Sequence, residues 1–94
     1  MNMQDVIIND TYDRISKILK NDQKYPYKKM GDLIATYVHA LDNVESLYSR
    51  YPPLLDVVEL GAALGYEGSA YQEEIIKQVK YKLSELRRLL PDIK

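Results

Sequence analysis

The stretch LGYEGSAYQEE, residues 64 to 74, sets Gly65 and Gly68 ahead of a serine, a tyrosine and two glutamates. Glycines leading into a helix can turn backbone N–H groups toward a phosphate. That chemistry needs a Gly-x-x-x-x-Gly-Lys-Ser/Thr run, or a Gly-x-Gly-x-x-Gly run after a strand. Neither occurs, the residues before Gly65 have helical spacing, and Glu67 would repel the anion. The same residues read instead as a reversal between two helices. Gly65 suits the left-handed position at a helix C-terminus, and Gly68 lets the chain swing round. Ser69 and Gln72 fit a capping box, with Ser69 accepting from the backbone of Gln72 and Gln72 reaching back. Glu73 and Glu74 then favour the positive end of the next helix.

Other reactive residue types are sparse. His39 is the sole histidine and falls opposite the apolar stripe of its helix, with no nucleophile or carboxylate partner in evidence. No His-Glu-x-x-His pattern or EF-hand loop is present, and the acidic residues are scattered, so no metal, cofactor or catalytic residue is expected. The nine tyrosines, in a chain without Phe or Trp, fall mostly at helical spacing or at helix ends. Tyr66 and Tyr71 flank the reversal, where an amphipathic ring can anchor a protein partner. A second stripe on the last helix joins Lys77, Lys80, Tyr81, Ser84, Arg87 and Arg88, and only Glu85 counters its charge. A solvated charged face is the plain reading of such a stripe. The imbalance favours docking on an acidic protein patch or near lipid headgroups.

Four helical segments would position these residues. The first, from about residue 4 to 20, carries Ile8, Tyr12, Ile15 and Leu19 on one face, and Asp10–Arg14 and Asp13–Lys17 lie one turn apart. Pro26 marks a loop before the second, whose stripe runs Met30, Ile34, Tyr37, Leu41, Val44 and Tyr48 without interruption. Tyr51-Pro52-Pro53 stops it, and Pro53 opens a third helix, short and apolar on more than one face. Gly61 inside that helix marks a close helix contact, because a glycine there costs about 1 kcal/mol against alanine. The fourth, about 21 residues, has Ile75, Val79, Leu83, Leu86 and Leu90 inward, joined by Ile76 and Leu89, and stops at Pro91. Short connections make such helices antiparallel neighbours, so the expected fold is all-α, an antiparallel four-helix bundle in one domain over residues 1–94.

The totals exclude several function classes. A net charge of -1 offers no basic field for nucleic acid, and the absence of cysteine excludes disulfides and thiolate chemistry. The N-terminus lacks the cationic start and apolar run of a secretory signal, and LLDVVELGAAL is too short to cross a bilayer. A cytoplasmic protein is expected.

The order of features, with "RYPPLLDVV" breaking into the third helix and "AYQEEIIKQVKYKLSEL" in the last, resembles the enterocin A immunity family. These are the immunity proteins of pediocin-like (class IIa) bacteriocins, and the resemblance runs from about Gln4 to Leu90. It rests on the helix pattern and on the Tyr71-Gln72-Glu73-Glu74-Ile75 entry to the last helix. It implies a cytoplasmic antiparallel four-helix bundle that is not an enzyme. Such a protein shields the producer cell from its own bacteriocin, acting from the inner face of the membrane. The implied partner is the membrane part of the mannose phosphotransferase permease with bacteriocin bound. In the family the C-terminal half largely sets which bacteriocin is resisted. That points here to the last hairpin and to Tyr66, Tyr71, Lys77, Lys80, Tyr81, Arg87 and Arg88. Only four residues follow Leu90, so any role of the longer tail of several relatives is not carried over. The alternative, from another class, is a small helical adaptor for a soluble protein with no part in toxin defence.

Overall fold

The computed structural model describes residues 3–20, 26–66 and 69–90, and among them five helices and no strand. They are α1 (Met3–Lys20), α2 (Tyr27–His39), α3 (Val44–Arg50), α4 (Pro52–Tyr66) and α5 (Ser69–Leu89). The apolar spacing explains each. In α1, Ile8, Ile15, Ile18 and Leu19 are buried, with Thr11 between them. The Thr11 hydroxyl satisfies itself by donating to the Ile7 carbonyl at 3.0 Å. The expected Asp10–Arg14 pair forms at 2.8 Å on the outer side.

The uninterrupted second helix expected from the stripe Met30–Tyr48 is in fact two helices. α2 ends at His39, Asn43 takes a left-handed conformation at φ 56°, and α3 restarts with the N–H groups of Ser46 and Leu47 donating to the Asn43 carbonyl. Asparagine is one of the few residues that adopts this geometry at modest cost. Packing explains why the chain bends here. A straight helix from Tyr27 to Arg50 would extend about 36 Å, whereas α4 offers a mate only about 22 Å long. The bend folds α3 back against α4 and buries Leu47 and Tyr51, which a straight helix would carry past the end of its support.

α4 starts one residue earlier than expected, with Pro52 in its first turn, where a missing N–H costs nothing. It is the central element, packed extensively on both α2 and α5, while α1 touches α2 and α5 and closes the circuit. Its Leu54, Val57 and Leu64 are completely buried, each stabilising the fold by about 2 kcal/mol. The close contact expected at Gly61 is present, and its mate is Gly31 of α2. A Cβ built on Gly31 would collide with the Gly61 carbonyl oxygen, and one on Gly61 would come within 3.2 Å of Ile34 Cγ2. Two bare Cα positions let the helix backbones meet.

The reversal between α4 and α5 differs from expectation in three respects. Gly65 is helical rather than left-handed, since α4 continues to Tyr66 and no described glycine has positive φ. Gln72 makes its contact with the preceding helix. Its side-chain amide donates to the Leu64 carbonyl at 3.2 Å, so it caps the end of α4. Glu73 and Glu74 fall in the second turn of α5. The proposed capping box between Ser69 and Gln72 rests on the Ser69 side chain, which with the turn at Gly68 lies outside what the structure describes.

Candidate functional site

α5 turns its apolar face inward through Ile75, Ile76, Val79, Leu83 and Leu86, with Leu90 just beyond its end, all buried, whereas Leu89, expected on this face, is 50% exposed because it falls round toward the outer side. At 3.6 residues per turn this burial fixes where every other side chain of the helix points. Lys77, Tyr81, Ser84 and Arg88 form one row along the outer face, and all four are exposed. Lys80 and Arg87 lie further round, on the flank that faces α1. The basic stripe read from sequence is therefore split between an outer row and a flank.

The flank residues border two clefts against α1. Lys80 lines a cleft of about 340 Å³ with Leu83 and Ser84 of α5 and Tyr12, Ser16, Leu19 and Lys20 of α1. Arg87 lines a cleft of about 300 Å³ with Val6, Asn9, Asp10 and Asp13, so its charge faces two carboxylates. Glu85, expected to offset the stripe, points the other way. It holds Lys82 at 3.7 Å, and Lys82 also reaches Asp56 of α4 at 3.5 Å. Glu85 and Asp56 together raise the Lys82 ammonium above its ordinary value. These bridges tie α4 to α5 and leave the outer row without a carboxylate from Lys77 to Arg88.

Tyr81 projects from the middle of this row at 64% exposure. Tyr71, at 63% exposure, sits about a quarter turn away on the α4 side and about 25 Å from Arg88 along the helix. Tyr66 closes α4, and its side chain lies outside the described residues. The seven residues singled out from sequence thus fall into three groups. These are the outer row Lys77–Tyr81–Arg88, the flank pair Lys80 and Arg87, and the two tyrosines at the hairpin tip.

His39 is exposed at the end of α2. Among the described residues no three His, Cys, Asp or Glu side chains converge as a metal site. No described helix is long and apolar enough to cross a membrane. Two participants escaped the sequence reading. Gly31 carried the same signal as Gly61, a glycine inside a helical pattern. Lys20 carried none, because its proximity to Lys80 depends on how α1 and α5 pack. Comparison with known protein families, curated proteins and solved structures gives no match to this chain.

Proposed function

We propose that the chain is an immunity protein against a pediocin-like bacteriocin. In this reading it is an antiparallel four-helix bundle whose second helix is α2 and α3 together, bent at Asn43. It works in the cytoplasm, at the inner face of the membrane, and catalyses no reaction. Its target is the membrane part of the mannose phosphotransferase permease with bacteriocin bound.

The observation that carries the reading is the outer row of α5. Lys77, Tyr81 and Arg88 stand exposed on a 21-residue helix whose inner face is locked into the core, with no carboxylate among them from Lys77 to Arg88. A rigid row of cations around one aromatic ring suits an acidic, partly apolar protein surface. Tyr71 extends the surface toward the N-terminal end of α5, Tyr66 is assigned to it as the last residue of α4, and Lys80 and Arg87 border it on the α1 side.

The test is expression in a strain sensitive to pediocin-like bacteriocins, followed by survival against a panel of these toxins. Protection against at least one toxin is expected, and protection against none overturns the reading. Lys77→Ala, Tyr81→Ala and Arg88→Ala together should abolish protection at unchanged helicity. Recovery of a soluble partner from an unprotected strain would favour the adaptor.

A further inference from the structure

We propose that the cleft between α1 and α5 binds the carboxylate and chain of a medium-length fatty acid. The cleft has an apolar floor, formed by Leu19 and Leu83, both buried, and by the half-buried ring of Tyr12. Lys20 and Lys80 border it from opposite helices. Among the described residues neither lysine takes an ion pair, whereas Arg14, Arg50 and Lys82 all do. Two cations that take no ion pair among the described residues, beside an apolar floor, attract a ligand that is anionic at one end and apolar along its length.

Size and polarity select a single chain over a peptide. The volume of about 340 Å³ lies at the lower end of small-ligand sites. From Tyr12 to Lys20 the α1 wall extends only about 12 Å, the reach of a medium acyl chain and too short to seat a second helix. A peptide strand would also bring backbone N–H and C=O groups that need partners. The α5 wall is a helix interior whose backbone groups are already paired, and its Ser84 hydroxyl is engaged with the Tyr81 carbonyl at 2.6 Å. A hydrocarbon chain makes no such demand. The inference is independent of the immunity reading.

The experiment titrates decanoate, below its micelle concentration, into the full isotopically labelled chain and follows backbone amide shifts. Saturable one-to-one binding is expected, with shifts confined to residues 12–20 and 80–84. Lys20→Ala with Lys80→Ala should weaken it about fivefold or more, the loss of two exposed ion pairs. Lys77→Ala with Arg88→Ala, on the outer row, should leave it unchanged. Glutarate, which has charge without a chain, should not bind, and decyl glucoside, a chain without charge, should bind more weakly. Non-saturable shifts, shifts centred on exposed Met3 or Leu89, or equal binding by the lysine double variant would overturn the proposal. So would saturation of the same amides by an acidic apolar peptide while decanoate leaves them unmoved, a result that assigns the cleft to a protein partner.

Discussion

The crossing of α2 and α4 depends on two glycines, and Gly31→Ala tests it most directly. In an isolated helix this substitution stabilises by about 1 kcal/mol, because alanine has less backbone entropy to lose. Here the added methyl would occupy the space of the Gly61 carbonyl oxygen. That atom belongs to a helical backbone and cannot rotate aside as a side-chain tip would. The helices must therefore separate, and the buried side chains Met30, Ile34, Leu54 and Val57 lose contact around them. Overpacking of this kind costs up to about 3 kcal/mol, so the net loss after the propensity gain is about 2 kcal/mol. For a chain of 94 residues that lowers the melting temperature by about 10 °C.

Two further variants make the argument internal. Gly61→Ala meets Ile34 at 3.2 Å, a side chain with some room to shift, and should lose less. Gly65→Ala meets only the Lys28 Cγ at 4.0 Å and should gain about half a kcal/mol from propensity alone. Thermal and urea unfolding followed by circular dichroism would rank the three. A Gly31→Ala protein as stable as the parent, or a Gly65→Ala protein less stable than Gly31→Ala, would refute the close crossing.

Asn43→Ala should destabilise by about 1 kcal/mol through the left-handed backbone, while Asn43→Gly should match or exceed the parent. Urea unfolding midpoints check this, and a gain of stability with alanine would mean that α2 and α3 prefer to join. Burial, and then the Glu59 carboxylate, hold the Tyr48 phenol above its ordinary value. The folded state keeps a proton that the unfolded chain releases, so this stabilisation is full below about pH 10 and is lost as pH rises through the folded value. Tyr48→Phe should therefore gain on the parent as unfolding midpoints are measured from pH 8 upward past 10, and a constant difference would contradict the assignment.

Much of the helical framework was legible because the signal is local. Residues three and four apart share a helix face whatever lies opposite, so Ile8, Ile15, Leu19, Met30, Ile34 and the inner stripe of α5 could be placed in the core from spacing alone. The outer position of Lys77, Tyr81 and Arg88 follows from the same periodicity. The Asp10–Arg14 pair needed only a one-turn separation. Gly61 was readable too, since a glycine within an apolar helix carries a cost that a close contact can offset.

Other features depend on distances that no local pattern encodes. The stripe from Met30 to Tyr48 is periodic through residues 40–43, yet the chain bends there because α4 is too short to support a straight mate. Gln72 looked like a cap for its own helix, and its side-chain amide serves the Leu64 carbonyl, since the fold brings the end of α4 within reach. Lys20 and Lys80 are sixty positions apart and meet across one cleft only because α1 closes against α5. The sequence by itself determined that this protein is helical and which face of its long helices is buried. The tertiary structure alone decided where the helices break, which glycines touch and which lysines share a cleft, because packing couples residues across space and periodicity couples them only along the chain.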